Sequence, residues 1–301
     1  MDRDLRETVV ADRGVFAGGS WATATRPVLG SGVPAVDGIR IGVGGWTYAP
    51  WRHSFYPAGL VGRRELEYAS RRFSTIEING TFYGARRADE YRQWRDQTPP
   101  GFVFSVKAPQ HITQRGPLAR CGKAAWAFLN GGLAELGDRL GPVLWHMPPS
   151  RVFEPDDLAA FLDLLPRTLD GRPLRHVIEP SHPSFVDTRY VEVARSFGAG
   201  TVITDAPEQP AIADVTGRVV YVRLMRSRVD LAEGYTAEEI ATWLDRARAL
   251  SAGGEPDGLP RIAEPVAPLT DREVYVYFIG GAKQRNPAAA MSMISRLLRA
   301  Q

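Results

Sequence analysis

The sequence predicts an α/β chain whose eight strand-then-helix units close into a single-domain, TIM-like (β/α)8 barrel, preceded by an irregular N-terminal extension. Three observations carry this expectation. From residue 39 onward, short apolar runs alternate with longer segments whose apolar positions share one helical face, as in a parallel sheet covered by helices. Eight such units follow one another, and eight is the number that closes a barrel. The rival open sheet usually carries a Gly-rich phosphate loop that enters a helix directly. Here Gly42-Val43-Gly44-Gly45 leads instead into aromatics and prolines.

Each element has its own justification. Residues 1–37 are rich in Gly, Ala, Ser, Thr and Arg without periodicity, and predict a flexible or loosely packed extension. The barrel domain then occupies 38–301. Strands are expected at 39–45, 74–79, 102–107, 143–147, 174–179, 201–204, 219–224 and 273–278. Helices are expected at 63–73, 88–97, 122–136, 155–165, 188–197, 237–250 and 288–298, with Pro155 suitably placed for a first turn. After 201–204, Ala206-Pro207-Glu208-Gln209-Pro210 suits a turn better than a helix. The Pro- and Gly-rich stretch 253–268 reads as a surface excursion before the last strand.

Composition narrows the function classes. At 301 residues, 44% hydrophobic and 24% charged, the chain has ordinary globular material for one large core. A formal charge of +3 and a pI near 9.1 admit a nucleic-acid partner without predicting one, because acidic and basic residues are interspersed. Cys121 is the sole cysteine, which excludes an internal disulfide and a cysteine-built metal site. No run approaches the roughly 18 to 20 apolar residues of a membrane span. The first residues lack the apolar stretch of a secretory signal, so a cytoplasmic location is expected.

Barrel chemistry belongs to the C-terminal strand ends and the loops after them. Strand parity turns Glu77 and Asn79 inward together at the second strand, and Lys107 ends the third. His146 lies near the end of the fourth, Glu179 ends the fifth with His182 in its loop, and Asp205 follows the sixth. Arg223 and Tyr277 close the seventh and eighth. Trp46, Tyr48, Trp51, Phe82 and Tyr83 crowd two adjacent loops and could form a stacking wall. Each residue also has a structural reading: an internal ion pair, a packed tyrosine, a satisfied core histidine or a surface histidine. The gathering at one barrel end argues for a site, because a buried charge is costly unless paired. Glu77, Glu179, His182 and Asp205 are the candidate catalytic groups. Trp46, Tyr48, Trp51, Asn79, Phe82, Tyr83, Lys107, Arg223 and Tyr277 are the candidate ligand-binding groups.

Glu77, His146, Glu179, His182 and Asp205 are suitable ligand types for a divalent metal, although no His-x-His or His-Glu-x-x-His spacing demands one. Neither a Gly-x-Ser-x-Gly elbow nor a P-loop is present, which disfavours Ser-His-Asp and P-loop phosphate chemistry.

Gly44-Gly45-Trp46-Thr47-Tyr48-Ala49-Pro50-Trp51, Glu77-Ile78-Asn79-Gly80-Thr81-Phe82-Tyr83, Lys107, Glu179 with His182, Asp205-Ala206-Pro207 and Tyr221-Val222-Arg223-Leu224 resemble the YecE-like family, domain of unknown function 72. The resemblance runs over roughly 39–299 and implies a TIM-barrel-like fold, without supplying a reaction. Several positions depart from the family pattern. Ser181 stands where Arg is expected, Phe185 where Trp, Gln114 where His and His146 where Gln. Met225-Arg226 replaces His-Gly, and Ile279-Gly280 replaces paired Asn. The sequence thus predicts a divergent member, with three functional readings. The first is an enzyme acting on a small polar, sugar or phosphorylated ligand through carboxylate acid–base groups and Lys/Arg anion binders. The alternatives are a nucleic-acid-binding or processing protein, and a non-catalytic binder.

Overall fold

Eight parallel strands close on themselves in the computed structural model, which describes residues 32–265 and 270–299. The strands are β1 (Ile39–Gly44), β2 (Thr75–Ile78), β3 (Val103–Lys107), β4 (Leu140–Met147), β5 (His176–Pro180), β6 (Gly200–Thr204), β7 (Val219–Leu224) and β8 (Glu273–Phe278). They pair in sequence order, and β8 returns to β1. The helices are α1 (Glu65–Ala69), α2 (Ala88–Gln97), α3 (Gln110–Gln114), α4 (Gly122–Leu129), α5 (Pro155–Leu164), α6 (Thr188–Phe197), α7 (Ala237–Ser251) and α8 (Asn286–Arg299). Most of the expected extension, residues 1–31, lies outside the described residues, as do 266–269 of the excursion.

Alternation along the strands separates two interiors. Ile41, Val43, Ile76, Phe104, Trp145, Ile178, Val222 and Phe278 face outward into the main apolar core shared with the helices. The alternate positions face the barrel axis, where Val103, Leu144, Val177 and Val202 pack with Tyr221, Tyr275 and Tyr277. The axis is therefore partly polar. Tyr277 Oη lies 2.7 Å from Thr75 Oγ1, and Tyr221 Oη lies 2.8 Å from Ser105 Oγ. Gly42 lets β1 approach β2 closely, since a Cβ there would stand 1.8 Å from the Thr75 carbonyl oxygen.

Helix ends follow local chemistry. Asp187 caps α6 by accepting the Arg189 N–H, and Gly198, at φ 64°, ends it. Thr236 and Glu239 form a reciprocal capping box on α7. The expected helix 122–136 is corrected: α4 stops at Leu129, and a 3-10 segment, Leu133–Arg139, follows. Gly132 sits at φ 120°, and its missing side chain leaves room for Ala88 of α2. The expected helix 63–73 shrinks to α1 behind a 3-10 turn, Gly62–Arg64. A short hairpin, Thr168–Leu169 with Arg172–Pro173, was not foreseen. No helix follows β6; Asp214, buried, accepts the backbone N–H groups of Ile262 and Ala263 and draws the excursion over that sector.

Candidate functional site

Parallel pairing brings four charged side chains from β2, β3, β5 and β7 to one level of the barrel. Glu77 and Glu179 accept from the Arg223 guanidinium, the Nη2 contact to Glu77 Oε1 being 3.0 Å. Lys107 Nζ donates to Glu179 Oε2 at 3.1 Å, and Tyr221 donates to Glu77 Oε2 at 2.7 Å. Glu77 is 0%, Glu179 4%, Arg223 4% and Lys107 9% exposed, so this network is nearly dry. Its two negative and two positive charges cancel, which is what makes such burial tolerable.

Burial alone would push the Glu179 carboxyl up, but the Arg223 and Lys107 cations outweigh it and pull it down to about 2. Glu179 is therefore ionised at neutral pH. Burial, then the Arg223 charge, pulls the Lys107 amine below its ordinary value, while Glu179 and Glu77 oppose that shift. Burial, with Glu77 alongside, raises the Tyr221 phenol well above its usual range, so it remains a donor.

Beside this network opens a cavity of about 600 Å³ over the ends of β1, β2, β3 and β8. Its floor is glycine: at Gly44 a Cβ would lie 2.9 Å from Asn79 Nδ2, and Gly45 turns the chain at φ 71°. Its walls are rings. Trp46 and Trp94 meet edge to face at 5.2 Å, and Phe82 and Tyr83 at 5.4 Å. Its polar lining includes Thr47, Asn79, Asn286 and three cations, Arg86, Lys107 and Lys283. No Asp or Glu is among the described residues that line it. Arg86 has only a distant carboxylate, Glu90 at 3.8 Å. Lys283 has no ion pair among the described residues; its Nζ stands 4.7 Å above the Tyr48 ring, and burial pulls its amine down.

The structure brings Glu77, Lys107, Glu179 and Arg223 together in the network, and Trp46, Asn79, Phe82, Tyr83 and Lys107 together in the cavity. It places other candidates apart. Trp51 is fully buried, not a wall; its indole N–H donates to the Lys283 carbonyl at 2.9 Å and so positions the cavity's lysine loop. Tyr48 lies beneath Lys283 and off the lining. Tyr277 is fully buried against Tyr221 and Thr75. Asp205 accepts from the Met225 N–H at 2.6 Å and the Tyr235 hydroxyl at 2.9 Å, tying together the loops after β6 and β7. Burial raises its carboxyl. His182 Nδ1 accepts from the Ser184 N–H at 3.1 Å and caps a 3-10 turn.

His146 Nε2 lies 3.0 Å from Ser181 Oγ, and burial lowers its imidazole to about 4, so it is neutral at pH 7. Among the described residues, no three His, Cys, Asp or Glu side chains gather to hold a metal ion. Glu77 and Glu179 spend their oxygens on Arg223, Lys107 and Tyr221 instead.

Sequence reasoning missed Lys283, Trp94 and Arg86 as lining residues. One compositional signal pointed to Lys283. Of the 37 Lys and Arg residues only Lys107, Lys123 and Lys283 are lysine, and two of these three line the cavity.

Known proteins resemble the chain over much of its length. The UPF0759 protein YecE of Escherichia coli is 29% identical over 150 residues, which is 49% of this chain and 50% of that protein. The UPF0759 protein YunF of Bacillus subtilis is 34% identical over 116 residues, 37% of this chain and 40% of that protein. These matches span half or less of each relative. A DUF72 family protein of Thermotoga maritima superposes with a TM-score of 0.64 at 20% identity, covering 87% of this chain and 99% of that one. A DUF72 family protein of Enterococcus faecalis gives 0.60 at 16%, covering 87% and 97%. The fold is thus shared. The family described as protein of unknown function DUF72 matches residues 40–301, and the chain belongs to it.

Proposed function

We propose that the barrel mouth binds a small anionic metabolite, with a phosphorylated sugar as the best-fitting class, and that the protein is an enzyme acting on it. One observation carries this reading: a cavity of about 600 Å³ is lined by three cations and no carboxylate. That volume lies within the roughly 300–1,000 Å³ of small-molecule sites. Of the three cations, Lys107 shares Glu179 with Arg223 and Arg86 has Glu90 at 3.8 Å, while Lys283 has no ion pair among the described residues. An anion entering the cavity therefore meets, at Lys283, a positive charge with no carboxylate partner among the described residues. Ring walls suit the carbon face of a sugar, and Asn79, Thr47 and Asn286 suit its hydroxyls. Glu179, held ionised, fits a proton acceptor or a counter-charge better than a proton donor.

Calorimetry with paired ligands tests this. A hexose phosphate is expected to bind and its unphosphorylated sugar is not, while Lys283→Ala weakens binding about tenfold, ~1.4 kcal/mol. Equal binding of both sugars, or no binding of the phosphate by any of a panel of sugar phosphates, would sink the proposal.

A nucleic-acid reading has one observation behind it: Tyr83, 80% exposed, and Arg86 both line the cavity, as a stacking ring and a phosphate contact would. Oligonucleotide binding that weakens steeply with salt would favour it.

A further inference from the structure

We propose that Lys107 is an amine nucleophile, forming an imine with the carbonyl carbon of an anionic aldehyde or ketone whose charged end is held by Lys283 and Arg86. The inference deepens the preceding reading and rests on it.

Composition is the first support. Lysine is rare in this chain: of its 37 basic residues three are lysine. Even the buried centre of the charge network is Arg223, and other buried cations are Arg139 and Arg272. Lys123, the third lysine, is exposed on α4. The cavity is thus enriched in the one basic side chain that this chain otherwise avoids. Guanidinium and ammonium both bind anions, but only the ammonium can surrender a proton at accessible cost and then attack carbon.

Geometry is the second support. Lys107 ends β3, so its backbone is held by the sheet while its side chain borders the cavity. Its Nζ makes one hydrogen bond to a protein group, to Glu179, and stands 4.8 Å from the Phe82 ring centroid. An ammonium has three protons to donate. Two directions are therefore free of protein acceptors among the described residues. Arg223 also competes for Glu179, engaging Oε1 while Lys107 engages Oε2.

The step balances without an added reactant. Nζ first gives a proton to solvent water, Glu179 staying ionised 3.1 Å away, and its lone pair forms a C–N bond to the carbonyl carbon. The carbonyl π pair moves to oxygen, which takes up a proton from the attacking nitrogen. The C–O bond then breaks with its electrons on oxygen, the returned proton makes water, and a protonated imine remains. Nothing is oxidised or reduced. One cation replaces another at the same atom, so the pairing with Glu179 survives and no new charge is buried.

Reductive trapping tests this on the full chain. The protein is incubated with dihydroxyacetone phosphate and sodium cyanoborohydride, modified lysines are mapped by mass spectrometry, and binding of the same probe is measured by calorimetry. Lys107 is expected to be labelled at least tenfold faster than Lys123, excess inorganic phosphate is expected to slow that labelling, and Lys107→Arg is expected to abolish the fast phase. Labelling of Lys107 no faster than Lys123, or fast labelling at Lys283 instead, overturns the proposal. Probe binding without fast labelling removes the imine but leaves the anion site standing. If neither the probe nor inorganic phosphate binds, both readings fall.

Discussion

The two sides of the barrel mouth hold similar side chains and use them oppositely. Over β4, β5 and β6 most polar groups pair within the protein: His146 Nε2 with Ser181, His182 with Ser184, and Asp205 with Tyr235 and the Met225 N–H, leaving only the buried His146 Nδ1 of these without a partner among the described residues. Over β1, β2, β3 and β8 the cations Arg86, Lys107 and Lys283 face a cavity with no carboxylate on its lining; Lys107 and Arg86 reach carboxylates behind it, and Lys283 has no ion pair among the described residues. Binding capacity lies with what is left over. A polar group already matched inside the protein has little to offer a ligand, whereas an unmatched one borders the space a ligand would fill.

The largest effect that would break this contrast comes from the network between the two sides. Arg223→Met leaves Glu77 and Glu179 buried with Lys107 as their sole remaining cation in the network. A loss of about 3–5 kcal/mol is expected in urea unfolding. A loss below 1 kcal/mol would show that the pair relaxes into water.

On the matched side, Asp205→Ala removes two hydrogen bonds to a charged group and is expected to cost about 2–3 kcal/mol by the same assay. Sugar-phosphate affinity should stay within about twofold, a change of roughly 0.4 kcal/mol. A tenfold loss of affinity would bring Asp205 back among the binding groups.

Acid sharpens the comparison. His146 is lowered to about 4 by burial, and His176 is shifted down for the same reason. An unfolded histidine takes up its proton near pH 6.5, earlier on acidification than the folded one. The stability held in the neutral folded rings is thus whole above about pH 6.5 and drains away below it, for His146 toward pH 4. His146→Gln should flatten that part of the profile in thermal melts; an unchanged slope would show that the ring is not held neutral. Glu179, lowered to about 2, adds a further loss only at more acid pH, below its ordinary range.

The smallest stability effect belongs to the open side. Lys283→Ala should change unfolding free energy by less than about 0.5 kcal/mol, since that ammonium has no ion pair among the described residues to lose. It should nonetheless abolish most of the phosphate-dependent rise in melting temperature. A clearly destabilised variant would mean that Lys283 has a structural partner.

The barrel was legible because its strands are buried on both faces and the parity of inward positions survives in the sequence. That parity placed Glu77, Lys107, Glu179 and Arg223 together before any coordinates. The loops were not legible to the same degree. Trp46 and Trp51 lie in one loop five residues apart, yet one lines the cavity and the other is fully buried. No periodicity in an irregular segment distinguishes them. Lys283 lies beyond β8 for the same reason, and the break after α4 depends on Gly132 meeting α2, a contact no local pattern encodes. Ser181 and His146, far apart in sequence, hydrogen-bond to each other at 3.0 Å, a pairing no local pattern encodes.

The sector after β6 has a kinetic consequence. Elsewhere a helix packed on the sheet shields the strands, and opening it means breaking a large apolar contact. α6 packs on one flank of β6, with Tyr190 Oη 2.9 Å from Thr201 Oγ1, but the other flank is covered by irregular chain, pinned by the Ile262 and Ala263 N–H groups donating to Asp214 and by the Ala213 N–H to the Pro260 carbonyl. Such a cover lifts without unfolding the rest. Amide hydrogens of β6 are therefore the barrel strand amides expected to exchange first, and this sector is where the closed cylinder breathes.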